Sequence, residues 1–225
     1  MLLADDKRLA GEAAALEVET GMLVGLGTGS TAHFAIAALG RRAREGLRFR
    51  AVATSLESER QAISLGLSVI AFDDVACVDL TIDGADEIDS RFFAIKGAGG
   101  AMLREKVVAA ASTRMIVVAD ATKRVAAIGQ ARVPVEILPF ARAAVLAQLG
   151  QSAVLRRVDG VPFVTDNGNN VADCALSLAD PATVAASLAA IPGVLGHGLF
   201  LDEVDAAYIA TDGVVTRLER FRASA

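Results

Sequence analysis

Residues 20–40 (TGMLVGLGTGSTAHFAIAALG) contain no Asp, Glu, Lys or Arg, yet glycines and hydroxyl side chains crowd their centre. A strand-length apolar run, a glycine loop and a helical pattern in so little chain open a βαβ unit, which restricts the molecule to the α/β class. A membrane span is a poor reading of the same stretch, because a helix-breaking, hydroxyl-rich centre does not match hydrocarbon. The opening MLLADDKRLAGE has acids where a signal peptide needs basic residues, so a cytoplasmic protein is expected.

The rest of the chain extends that plan. After a helix from Lys7 to Val18, strands are expected at Met22–Gly25, Phe49–Thr54, Leu67–Ala71, Val78–Ile82, Phe92–Ile95 and Arg114–Ala119. Helical patterns near 31–44, 56–65 and Ala101–Ala111 separate them, giving a doubly wound, Rossmann-like, mostly parallel sheet. From about Arg132 the rhythm changes to strand (VPVEI), helix (140–149), strands (153–158, 161–165 and 170–175), helix (181–190) and strand (193–200). That order approximates a ferredoxin-like β-α-β-β-α-β unit, so residues 131–204 are expected as a smaller inserted α+β domain. Residues 1–130 and 205–225 then form the first domain, closed by a hairpin of AAYIAT and VVTRLE about Asp212-Gly213.

Charge narrows the partners. A net charge of −5, 4% aromatic residues and no Trp leave neither a basic face nor stacking platforms for nucleic acid. Cys77 and Cys174 lie far apart without C-x-x-C spacing and read as buried packing thiols in a reducing compartment.

Three clusters carry chemistry. The first, Gly25-Leu26-Gly27-Thr28-Gly29-Ser30-Thr31, turns a strand into a helix and points backbone N–H groups into one concavity. It departs from G-x-G-x-x-G, since position 30 is Ser, and from a P-loop, since no Gly-Lys-Ser/Thr follows. A single phosphate monoester is the ligand expected there; a tight turn with a capped helix is the alternative. The second, Asp79-Leu80-Thr81-Ile82-Asp83-Gly84-Ala85-Asp86-Glu87-Ile88-Asp89, concentrates carboxylates at a strand end, suiting proton transfer or polyhydroxyl binding. A divalent cation is disfavoured, because the chain has two histidines, His33 and His197, and the acids lack EF-hand spacing. Solvated acids capping a helix are the plain alternative. The third, Lys96-Gly97-Ala98-Gly99-Gly100-Ala101-Met102-Leu103-Arg104-Glu105-Lys106, ends a strand in another backbone nest; Glu105 is either an exposed ion-paired residue or a base turned toward the acids. Thr54-Ser55-Leu56-Glu57-Ser58 ends a strand and either caps the next helix or forms a less specific polar rim, and Lys123 and Lys7 either reach that rim to neutralise phosphate or are ordinary solvated lysines. No G-x-S-x-G motif points to acyl transfer.

Together GLGTGSTA (25–32), TIDGADEID (81–89), KGAGGAMLREK (96–106) and ADATK (119–123) resemble ribose-5-phosphate isomerases of the A type, as does VTDNGN (164–169). The resemblance implies interconversion of D-ribose 5-phosphate and D-ribulose 5-phosphate through a cis-enediol(ate), without metal or organic cofactor. It implies Glu105 as base, Asp83 in proton transfer during ring opening, and Lys96 with the amides of Gly97, Ala98 and Gly99 at the enediolate. Asp83, Gly84, Ala85 and Asp86 then hold the sugar, while Thr28, Gly29, Ser30, Thr31, Lys123 and Lys7 hold the phosphate. Ala98 stands where the family's loop has glycine, which requires a negative φ there. A homodimer or homotetramer is also implied. The rival readings are a non-catalytic sugar-phosphate sensor and a deaminase or CoA-transferase-like enzyme of related fold.

Overall fold

The computed structural model describes residues 3–221. In chain order the first elements are α1 (Leu3–Ala15), β1 (Leu23–Leu26), α2 (Ser30–Arg44), β2 (Arg50–Ala53), α3 (Leu56–Ser64) and β3 (Leu80–Gly84). They are followed by β4 (Glu87–Ile88), β5 (Ala94–Ile95), α4 (Met102–Ala110) and β6 (Met115–Asp120). A second group comprises β7 (Val133–Ile137), α5 (Arg142–Leu149), β8 (Ala153–Leu155), β9 (Arg157–Val158), β10 (Val161–Pro162), β11 (Asn170–Cys174), α6 (Pro181–Ala189) and β12 (Val194–His197). The chain ends with β13 (Leu199–Phe200), β14 (Ala206–Thr211) and β15 (Val214–Glu219).

The main sheet runs β15-β14-β6-β3-β1-β2, parallel except for the β14–β15 hairpin at its edge. Every residue of β1 and β6 is buried, as a parallel sheet covered on both faces requires. Ala10 and Ala14 of α1 and Ile36 and Leu39 of α2 pack one face against Val24, Leu26, Ile82, Ile116 and Val118. Val108 and Ala109 of α4 cover the other. From β1 the chain proceeds outward to β2, then returns to lay β3 on β1's opposite side. That reversal is a topological switch point, and a crevice opens beyond the carboxyl ends of β1 and β3.

The second group folds into an antiparallel sheet ordered β12-β7-β11-β8, with α5 and α6 as its crossovers. This is the split βαβ arrangement expected from the strand and helix rhythm. A three-stranded sheet, β13-β5-β4, ties the two groups together.

Several expected elements differ. Leu67–Ala71 is no full strand; it meets the sheet edge through one bridge, Val69 to Ala51, because it runs too briefly beside β2 to build a ladder. The 193–200 strand breaks at Gly198, where a Cβ would lie 2.1 Å from the Lys96 carbonyl oxygen, so its halves join different sheets. The 153–158 and 161–165 strands are shortened by the β9–β10 hairpin. Cys174 is buried as expected, its thiol pushed up to about 11 by burial, whereas Cys77 is exposed: it precedes the buried Val78 and the alternation turns it outward.

Candidate active site

At the carboxyl end of β1 the chain cannot accommodate a side chain at residue 27. A Cβ on Gly27 would sit 2.3 Å from Asp83 Oδ1 and 2.4 Å from Asp83 Cα. Two residues later Gly29, with φ 98°, turns the chain into α2 through a conformation that favours glycine. No side chain caps α2, so the first N–H groups of the helix lack intrahelical partners and face the crevice. Behind them Thr28 Oγ1 lies 2.7 Å from Thr54 Oγ1 and 2.8 Å from Ser55 Oγ, and Ser58 Oγ donates to the Gly27 carbonyl at 2.6 Å. Thr54, Ser55 and Ser58 are buried, so the polar rim is an internal brace for the glycine loop.

Across the crevice lies a buried ion cluster. Lys96 Nζ is 3.0 Å from Asp83 Oδ2 and 3.3 Å from Glu105 Oε2, and it donates to the Gly84 carbonyl. Asp83 Oδ1 accepts from the N–H groups of Thr28, at 2.9 Å, and Gly84, at 2.7 Å. Glu105 projects from the first turn of α4 and is 4% exposed, which excludes the surface-glutamate reading. Two carboxylates therefore share one ammonium. Burial and, after it, the Asp83 charge push Glu105 up to about 8, against the pull of Lys96. Burial also raises Asp83, which Lys96 and the two amides draw back only in part. Burial alone would lower Lys96, but the charges of Asp83 and Glu105 outweigh it and hold the ammonium protonated.

A cavity of about 210 Å³ separates the helix N-terminus from this cluster. Its lining includes every residue that the resemblance assigns to the site except Asp83, which pairs with Lys96. Thr28, Gly29, Ser30 and Thr31 form one wall, with Lys7 and Lys123 at the rim; Lys7 Nζ donates to Ser30 Oγ at 2.9 Å. Gly84, Ala85, Asp86, Lys96, Gly97, Ala98, Gly99 and Glu105 form the other. Asp86 Oδ2 accepts from the Ala98 N–H at 2.9 Å. Ala98 is not among the residues with positive φ, so its methyl is tolerated. A larger groove of about 440 Å³, lined by Phe72, Leu103 and Val107 among others, contains none of these residues.

The acid cluster divides in a way its spacing did not reveal. Glu87 turns from the cavity and accepts from the N–H groups of Gly129 and Ala131, while Asp89 pairs with Arg91 at 2.6 Å. Both carboxylates brace loops. His33 is exposed on α2 and His197 lies on β12, so neither lines the cavity. Among the described residues no three His, Cys, Asp or Glu side chains group as metal ligands would. Sequence reasoning named Gly27 only as one glycine of a turn and missed that Asp83, more than fifty residues later, requires it; it missed Arg156, which reaches the Gly97-Ala98 loop from between β8 and β9. A glycine between two strand-end glycines was the available signal for the first; nothing local marked the second.

A base held beside an ammonium and facing an anion-binding helix terminus can move a proton between neighbouring carbons of a phosphorylated sugar. Fold and site thus define an aldose–ketose isomerase. Residues 50–213 match the family model for ribose 5-phosphate isomerase A (phosphoriboisomerase A). The ribose-5-phosphate isomerase A of Sphingopyxis alaskensis is 50% identical over 214 residues, covering 93% of this chain and 94% of its own. That of Haloarcula marismortui is 49% identical over 219 residues, covering 94% of each. A solved D-ribose-5-phosphate isomerase in complex with phospho-erythronic acid superposes with a TM-score of 0.94 at 34% identity, covering 98% of this chain and 100% of that one. The enzyme from Methanocaldococcus jannaschii gives 0.91 at 34% identity, over 96% and 98%. The chain belongs to the ribose 5-phosphate isomerase A family.

Proposed function

We propose that the protein interconverts D-ribose 5-phosphate and D-ribulose 5-phosphate, with Glu105 carrying the proton between C2 and C1. The observation that supports this best is the Asp83–Lys96–Glu105 cluster, buried on one wall of a cavity whose other wall is the uncapped N-terminus of α2. The phosphate sits against the α2 amides and the hydroxyls of Ser30 and Thr31, with Lys7 and Lys123 supplying compensating charge. Binding at that remote group fixes C1 and C2 beside Glu105.

Ring opening comes first: a proton leaves the anomeric hydroxyl and another reaches the ring oxygen, giving the open-chain aldehyde. Lys96 is the acid at the cavity wall: it protonates the ring oxygen and recovers the proton of the anomeric hydroxyl, and Asp83, which does not line the cavity, takes part in that exchange through its ion pair with Lys96 at 3.0 Å. The Glu105 carboxylate then takes the C2 proton, leaving a cis-enediolate whose oxygens face Lys96 and the amides of the 97–99 loop. A proton passes from O2 to O1 within the enediolate, and as the C2 carbonyl forms the carboxylic acid returns its proton to C1, restoring the base. A carboxyl near 8 is matched to both halves of that exchange close to neutrality. Asp86, already fixed on the Ala98 N–H, orients sugar hydroxyls.

The reading needs no metal or organic cofactor, and it includes a homodimer or homotetramer in the cytoplasm. Phe140, 95% exposed, with exposed Val154 and Leu195 in the second group, supports association of copies. The free cysteines support a reducing compartment. Among the described residues no helix is long and apolar enough to cross a membrane.

The test is ribulose 5-phosphate formation by the purified protein, with and without EDTA, beside Glu105→Gln. Equal turnover with EDTA and abolished turnover in the variant, with substrate binding retained, are expected. Near-normal kcat in Glu105→Gln would refute the base assignment, and loss of activity with EDTA would refute the metal-free reading.

A further inference from the structure

The loop from Lys96 to Gly100 is held from outside the cavity by Arg156, which follows β8 of the second sheet. Arg156 Nη1 donates to the Gly97 carbonyl at 3.1 Å and to the Ala98 carbonyl at 2.9 Å. Its other edge is occupied by Asp173, which accepts from Nε at 2.8 Å and from Nη2. The guanidinium is therefore fixed in plane by one carboxylate, and its remaining nitrogen, Nη1, donates to two consecutive peptide carbonyls. The same sheet group supplies Phe163, whose ring lies so close over Gly100 that a Cβ there would be 2.4 Å away.

Peptide planarity turns that contact into an orientation. In a trans peptide the carbonyl and the following N–H point in opposite directions, and the described chain contains no cis bond. Arg156 and Asp173 do not line the cavity, whereas Gly97, Ala98 and Gly99 do. Drawing the Ala98 carbonyl toward Arg156 therefore sends the Gly99 N–H to the cavity side. That N–H finds no acceptor among the described residues. The preceding unit is pinned at both ends, its carbonyl by Arg156 and its N–H by Asp86.

We infer that Arg156, oriented by Asp173, is a positioning residue that aims the Gly99 amide at the oxygens of the reacting carbons. The second sheet thereby contributes to the chemistry without touching substrate. The inference rests on the proton-transfer reading of the cavity and adds to it the origin of the loop's orientation. An amide aimed in advance favours the planar enediolate over the ground-state sugar, and it does nothing for the phosphate, which is held on the opposite wall.

The experiment compares Arg156→Met, Arg156→Lys and Asp173→Asn with the parent, using kcat, KM and the inhibition constants of two probes. One probe is phospho-erythronic acid, whose carboxylate carries two coplanar oxygens as an enediolate does; the other is inorganic phosphate. Expected in Arg156→Met is a fall in kcat of about 10–100-fold, with phospho-erythronic acid weakened in parallel and inorganic phosphate within about twofold. Arg156→Lys, which cannot serve Asp173 and both carbonyls together, is expected to recover kcat only partly. Asp173→Asn keeps the guanidinium and is expected to show a smaller loss with the same split between probes. Unchanged kcat in all three overturns the inference, and so does equal weakening of both probes, which marks Arg156 as a support of the fold alone. Glu105→Gln run alongside separates the two levels: if it is inactive while Arg156→Met is normal, the positioning role fails and the proton-transfer reading stands.

Discussion

Replacing Glu105 by Gln removes a carboxyl that folding makes hard to ionise, so the variant should gain stability while losing turnover. Burial, with the Asp83 charge behind it, raises the group from 4.5 to about 8 in the folded protein. Between those values the folded chain keeps a proton that the unfolded chain has already released. Stability therefore falls as pH rises through that window, and the loss is complete above about 8. At ~1.36 kcal/mol for each pH unit the loss is ~3 kcal/mol near pH 7 and ~5 kcal/mol under alkaline conditions. Glutamine cannot ionise, and its amide oxygen can face Lys96 as the carboxylate did. In a chain of this size the gain near pH 7 corresponds to roughly 6–12 °C in Tm. Calorimetry of both proteins at about pH 5 and about pH 8 reads the effect: nearly equal midpoints at the lower pH and a widening gap in favour of Glu105→Gln at the higher. A variant that is less stable than the parent at the higher pH, or a gap that does not grow with pH, would refute the burial reasoning. The expected pairing of added stability with lost activity is the signature of a group kept in an unfavourable place for its chemistry.

Three further outcomes are expected. The kcat/KM of the parent should climb about tenfold per pH unit below about 8 and level above it, because a base in the proposed role of Glu105 must be ionised in the free enzyme; a profile flat from about 6 to 9 argues against that role. Lys123→Ala should raise KM about tenfold with little change in kcat, since the proposed reading puts the phosphate, and not the reacting carbons, beside this cavity-lining lysine; steady-state kinetics showing a kcat loss without a KM change would contradict that reading. Gly27→Ala should cost ~3 kcal/mol or more, because its Cβ would meet the backbone and carboxylate of Asp83 at 2.3–2.4 Å; a thermal midpoint like the parent's would show that β1 and β3 can separate there.

The parallel sheet was legible because its strands are short, apolar and separated by helical patterns, and both faces of such a sheet must be covered. The split βαβ order of the second sheet followed from the same rhythm. Leu67–Ala71 misled because an apolar run of strand length does not say how many partners it will find. Within the acid cluster, residue type alone offered five candidates. Only the path of β3 and β4 sets Asp83 behind Lys96, turns Asp86 toward the cavity and sends Glu87 and Asp89 to brace loops.

By itself, then, the chain determined its fold class and the residue types able to grip a phosphate ester and move a proton, since glycine nests, hydroxyls and carboxylates are written locally. Folding decided everything that depends on distance. It buried Glu105, and that burial and the nearby Asp83 charge raise its proton affinity against the pull of Lys96; it placed Asp83 behind Lys96 and brought Arg156 onto a loop nearly sixty residues earlier. Those effects come from desolvation and from charges a few ångströms apart, and neighbours in space rather than in sequence supply both.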